Sequence, residues 1–257
     1  MTQRSARMIE APISHRARLI APATFAAALL LRRVSSAGAQ ATPTAESLLE
    51  SAVTAMAALE SFAFKLTTLE GETQFIEGIT LNDVSGAVQR PNSFTATAEI
   101  ELIIASLKFT IISTDGRLWF TDPFGDGETY QEISLSEFGN FDPTLVINPD
   151  RLLLPALSAI SAPILVGEEE LEDGVRANRI DGIVNLASVT GLAGTPEASE
   201  LGFSFPEEVP FSVWVDAESL VRRMDVTGPI LPDEAENIVR RVDFSAFNEL
   251  VDIQPPA

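Results

Sequence analysis

The side chains with chemistry to offer in this chain are carboxylates and arginines. It has no cysteine, and its single histidine is His15. Without imidazole or thiol beyond that position, most hydrolase, thiol, zinc and redox chemistry loses its usual groups. Asp, Glu, Ser, Lys and Tyr remain, and no G-x-S-x-G, H-E-x-x-H or Walker-type spacing organises them. Asp122, Asp126 and Glu128 lie around Gly125 and Gly127 in the manner of a calcium loop, but Phe124 stands where an oxygen ligand belongs. That stretch reads as an acidic turn. Glu168, Glu169, Glu170, Glu172 and Asp173 read as a solvated turn beside Gly174. Arg222-Arg223 and Arg240-Arg241 are basic pairs for which neighbouring acids are the expected mates, with one arginine of each pair exposed by strand alternation. The residues predict binding rather than catalysis, with no cofactor and no metal.

The first 39 residues explain why His15 counts for little. Arg4, Arg7, Arg16 and Arg18 precede an apolar run from Leu19 to Leu31, and Ala37-Gly38-Ala39 supplies small side chains for a peptidase. This is the order of a secretory signal, cut after Ala39 or Ala41. The run is too short for a bilayer span of about 20 residues. Arg32 and Arg33, directly after it, leave an uncleaved anchor or a misassigned start as the alternative. Residues 40–45 form a tether and 46–257 a single domain, held by a core rather than disulfides. Removing the leader's six arginines and Glu10 from 17 basic and 37 acidic residues leaves 11 and 36, a net charge of −25. Nucleic acid is excluded as a partner on that charge. An acidic face could still meet a basic protein.

The elements that position these groups follow from periodicity. Leu48, Leu49, Ala52, Val53, Met56 and Leu59 make one apolar stripe, which predicts a helix from about Ala45 to Ser61. The period then becomes two. Phe62, Phe64 and Leu66 alternate with polar neighbours, as do Phe94, Ala96, Ala98, Ile100 and Leu102, and then Leu107, Phe109 and Ile111. Asn82-Asp83, Arg90-Pro91-Asn92 and Asp115-Gly116 predict turns, the last a hairpin into Leu118-Trp119-Phe120. Pro143 and Pro149 suit helix starts, and 151–161 reads as a helix bent or divided at Pro155. Further strands are expected over 164–171, 175–186, 211–215, 220–226 and 239–244, with a long loop over 187–208. Nine or ten one-sided strands and few helices define an α+β domain. Those helices cannot cover a flat sheet of that size. A curled sheet either packs solid or encloses a cavity fit for an acyl chain.

Several segments in order resemble the LppX/LprA/LprF/LprG lipoprotein family. They are Ser61-Phe62-Ala63-Phe64-Lys65-Leu66, Val88-Gln89-Arg90-Pro91, Asp115-Gly116-Arg117-Leu118-Trp119, Phe141-Asp142-Pro143 with Asn148-Pro149-Asp150, and Val213-Trp214-Val215-Asp216 before Leu220-Val221-Arg222-Arg223-Met224. The resemblance spans about residues 46–253. It implies a strongly curved antiparallel half-barrel with helices on its concave face, similar to LolA and LolB. It also implies a non-enzymatic exported protein that carries acylated lipid or glycolipid across the cell envelope, with a membrane transporter or acceptor protein as a further partner. An envelope sensor or adaptor built on the same fold is the alternative. On this resemblance Phe62, Phe64, Leu66, Phe94, Ile100, Leu102, Phe109, Ile111, Leu118, Phe120 and Trp214 form the lipid-facing wall. Members carry a lipobox cysteine where this chain has Ala39-Gln40-Ala41, which leaves a released relative or a misread start.

Overall fold

Alternation fixes the architecture. A computed structural model of the chain describes residues 43–76, 79–102, 105–122, 124–125, 127–133, 149–186, 189, 208–229 and 234–256. Twelve strands are β1 (Ser61–Glu70), β2 (Thr73–Ile76), β3 (Ile79–Gln89), β4 (Ser93–Leu102), β5 (Ala105–Thr114), β6 (Arg117–Thr121), β7 (Tyr130–Ile133), β8 (Ser161–Glu170), β9 (Arg176–Val184), β10 (Val209–Asp216), β11 (Val221–Thr227) and β12 (Val239–Ser245). They form one antiparallel sheet in the order β7-β6-β5-β4-β3-β1-β12-β11-β10-β9-β8, with β2 added beside β3. Among the described residues β7 and β8 are its edges, so the sheet is open. Helices α1 (Ala45–Ala57) and α2 (Pro149–Ser158) accompany it. Thr42–Ala257 forms one compact unit.

The first helix starts where the sequence says it should. Thr44 caps it: its Oγ1 accepts from the Ser47 amide at 3.2 Å, and the Ser47 hydroxyl accepts from the Thr44 amide at 3.0 Å. Such a reciprocal cap satisfies two of the helix's unpaired N–H groups. The helix stops at Ala57, four residues short of the expected end. Ser61-Phe62 already belongs to the period-two pattern, and pairing with β3 claims that backbone. Pro155 stands at an exposed position inside α2, which runs undivided from Pro149 to Ser158.

Asp115 and Gly116 both have positive φ (53° and 73°) and close the β5–β6 hairpin as expected. Asn82-Asp83 is not a turn. It is a bulge within β3, where the register to β4 shifts between Leu81 and Asp83, and the Asn82 amide donates to Glu101. A polar pair can thus interrupt a ladder without reversing the chain. Gly86 has a specific reason to be glycine. A Cβ there would lie 2.0 Å from the Thr95 carbonyl oxygen and 2.9 Å from the Phe64 ring. Pro143 lies outside the described residues, as does nearly all of 187–208.

Candidate functional site

Register decides which side chains share a face. Phe62, Phe64 and Leu66 on β1 stand opposite Val88, Gly86 and Val84 on β3. Those in turn face Phe94, Ala96 and Ala98 on β4, and then Ser113, Ile111 and Phe109 on β5. Phe120 pairs with Ile111, and Leu118 with Ser113. In the other direction Phe64 meets Phe244, Leu66 meets Val242, and the row continues to Met224 and Val213. One apolar face therefore crosses the sheet from β6 to β9. Ten of the eleven expected wall positions lie on this face by register. Leu102 pairs with Ala105 there, in step with Ile100.

This is also the face the helices cover. Leu49, Ala52 and Met56 of α1 and Leu153, Ala156 and Leu157 of α2 share a core with Phe62, Phe94, Val213 and Phe244. Phe62 and Phe244 pack edge to face with centroids 5.8 Å apart. Each fully buried large side chain here contributes about 1.5–3 kcal/mol. Closure is uneven. Phe62, Phe64, Phe94, Ile100 and Leu118 are buried, whereas Leu66, Phe109, Ile111 and Phe120 are half-buried. The half-buried positions lie on β5 and β6 and at Leu66 of central β1, while Leu118 of β6 is buried.

Trp214 departs from the expected wall. Residues 213 and 215 point into the core, so Trp214 stands on the opposite face, in register with Arg223 and Arg179. The guanidinium groups of Arg179, Arg241 and Arg223 lie 5.2, 5.8 and 5.9 Å from its ring centroid. Its indole N–H donates to Glu169 at 2.7 Å. Leu171 and Ala177 complete a small second cluster around it. One apolar residue on each side, Val213 and Val215, hid its orientation in the sequence.

The acidic run and the arginine pairs explain each other. Glu168 pairs with Arg176, and Glu169 with Arg179 and Trp214. Glu172 reaches Arg223 and Arg241. Arg223 also donates to Asp243 at 2.7 Å, and Arg241 to Asp225 at 2.8 Å. Glu168, Glu169 and Glu172 of the run are thus ion-pair partners while the run itself stays mostly exposed, and none of the four paired arginines is exposed. Hydrogen bonding from Arg223 holds the Glu172 carboxyl below the usual glutamate range, with a smaller contribution from its backbone. Burial works against the charge of Arg223, but bonds to Glu172 and Asp243 outweigh it and raise its pKa.

A depressed carboxyl stabilises the fold above its unfolded value, near 4.3, and loses that contribution as pH falls through the lower folded value. Glu172 is largely exposed, so the effect is small, about 0–1 kcal/mol. In a Trp119→Phe variant, Trp214 fluorescence should begin to shift only below that range. Glu172→Gln should bring the low-pH signal to neutral pH. A flat signal from pH 7 to 3 in both variants would refute the assignment.

Two residues on the inner side escaped the sequence reading. Arg240 alternates with Val242 and Phe244, which places it on the apolar face. It is buried, donates to Thr73 at 3.1 Å and the Gly228 carbonyl at 3.2 Å, and pairs with fully buried Glu234. Arg90, after β3, donates to Asp150 at 3.0 Å and to the Leu59 carbonyl at 2.7 Å. It thereby joins the end of α1 to the start of α2. Only the position of each arginine beside an apolar alternation hinted at this.

Around the glycine-rich stretch, Asp122 accepts from the Phe124 and Gly125 amides, as a tight turn requires. Asp126 lies outside the described residues. Among the described residues no helix is long and apolar enough to cross a membrane.

Among the described residues the chain is thus an open antiparallel sheet with one apolar face beneath two helices, an α+β architecture. The chain belongs to the LppX_LprAFG lipoprotein family, whose model matches residues 44–253. Its fold is similar to that of LprF from Mycobacterium bovis, at 16% identity and a TM-score of 0.58, over 83% of this chain and 97% of that one. It is also similar to the Mycobacterium tuberculosis lipoprotein LppX, at 18% identity and a TM-score of 0.52, over 81% and 99%. A LolA superfamily protein from Nitrosomonas europaea aligns at 11% identity over 83% of this chain and 96% of that one, with a TM-score of 0.24, too low to carry an argument. No curated protein matches the chain.

Proposed function

We propose that this chain is an exported, non-catalytic protein that carries acylated lipid or glycolipid across the cell envelope. The sheet curls around its helices as a half-barrel, and the acyl chains lie against the looser part of the apolar face. The observation that supports this reading is the uneven closure of that face: helix-covered at Phe62 and Phe94, half-buried at Leu66, Phe109, Ile111 and Phe120. An acyl chain entering there gains about 0.8 kcal/mol per buried methylene. Family membership supports the same reading. The envelope itself, or a protein within it, delivers and receives the cargo.

Organic extraction of the natively purified protein, followed by mass spectrometry, should yield stoichiometric acylated lipid. The protein should also accelerate movement of a fluorescent lipid between vesicles. A lipid-free protein that accelerates nothing would refute the carrier. Bound lipid without transfer would favour a sensor that reads lipid as a signal.

A further inference from the structure

A second site lies away from the apolar face, where the β10–β11 turn meets the end of α1 and the segment after β12. It is an open cleft of about 470 Å³, with Arg222, Phe247, Glu218, Glu249, Leu59 and Ala58 among its lining residues. That size falls within the range of small-molecule pockets, about 300–1,000 Å³.

Arg222 is held there on two sides. Its Nε donates to Asp216 at 2.5 Å, and its guanidinium stacks 4.7 Å from the Phe247 ring centroid. Asp216 is itself buried and fixed by the amides of Glu218 and Leu220, at 2.8 and 2.9 Å. Asn248 is pinned by accepting from the Glu60 amide at 2.8 Å through Oδ1, which leaves its NH₂ as a donor. The two terminal nitrogens of Arg222 have no acceptor among the described residues, although only 20% of the side chain is exposed. The Glu218 and Glu249 carboxylates also make no bond among the described residues. The cleft thus presents positioned donors beside unpaired acceptors.

Charge narrows the ligand. Three carboxylates surround one guanidinium, so a phosphate or carboxylate is repelled. A bare cation could accept none of the hydrogen bonds that Arg222 and Asn248 have to donate. A neutral group that both accepts from a guanidinium and donates to carboxylates suits the set, with C–H surface to rest on exposed Ala58. Vicinal hydroxyls on a ring have this character. We infer that the Arg222 cleft binds a neutral sugar ring, free or as the head group of a glycolipid. This inference stands independently of lipid carriage on the apolar face.

Amide NMR of the full chain tests it, with methyl glucoside and methyl mannoside as probes. Vesicles containing a glycosyl diacylglycerol are compared with plain phosphatidylcholine vesicles, and sodium phosphate is titrated separately. Saturable shifts of the amides at 218–222 and 246–249 are expected with a methyl glycoside, or with glycolipid vesicles only if the sugar must be membrane-held. Arg222→Gln should weaken binding by about tenfold or more, the loss of one charged hydrogen bond. Glu249→Gln, at an exposed position with no fold contact through its carboxylate, should weaken it in the same sense. Shifts with phosphate alone, shifts unchanged in both variants, or no saturable shift with any probe would overturn the site.

Discussion

Arg90→Ala is expected to destabilise the fold by about 3–5 kcal/mol, the cost of breaking a buried ion pair by removing one partner. Arg90 and Asp150 each keep only 16% of their side chains exposed. The guanidinium does three things at once. It neutralises Asp150, it donates to the Met56 and Leu59 carbonyls where α1 ends, and it lies 5.7 Å from the Phe62 ring centroid. Helix C-terminal carbonyls need such donors when they are shielded from water. Loss of Arg90 therefore loosens both helices from the strand that carries Phe62. Urea denaturation should show a lower midpoint with an unchanged slope. Arg90→Lys keeps the charge but not the planar fork, and should recover only part of the loss. A double-mutant cycle with Asp150→Asn should show coupling of at least about 1 kcal/mol. A loss below 1 kcal/mol for Arg90→Ala would mean that the clamp is incidental.

The sequence made the ladder of β4 and β5 legible because one face is apolar and the other wet, so each side chain announces its side. The same rule places Phe62, Phe109 and Phe120 correctly. It fails at Trp214, where Val213 and Val215 are also apolar and a strand covered on both faces has no alternation to read. The opposite failure concerns Arg240. A charge in step with Val242 and Phe244 looks like the polar side of a strand, yet its partner Glu234 comes from the preceding loop, and composition cannot foresee that pairing. The partners of Glu172 in the exposed acidic run at 168–173 were hidden for a related reason. Its mates, Arg223 and Arg241, are distant in sequence and are brought near only by the order β8-β9-β10-β11-β12. Local pattern reports burial well and partnership poorly.

Phe109→Glu should reduce retained lipid by about 100-fold or more while leaving the protein folded. Phe109 faces Ala98 on the apolar side of β5 and is half-buried, so a glutamate there can reach water when no lipid is present. With an acyl chain laid over it, the carboxylate must lose solvent without gaining a partner. Several kcal/mol is the usual effective penalty for such a charge, and each 1.4 kcal/mol is tenfold in affinity. The neighbouring residue gives the control. Lys108 points to the opposite face, largely exposed, and pairs with Glu99 at 3.4 Å. Lys108→Ala should change stability by no more than about 0.5 kcal/mol and leave lipid content untouched. Phe109→Leu should retain lipid, because it keeps the site apolar. The lipid-to-protein ratio after native purification measures all three variants, with circular dichroism as the check on folding. If a folded Phe109→Glu protein holds as much lipid as the parent, the acyl chains do not run along β5. If Lys108→Ala loses lipid equally, the effect belongs to the strand and not to its apolar side.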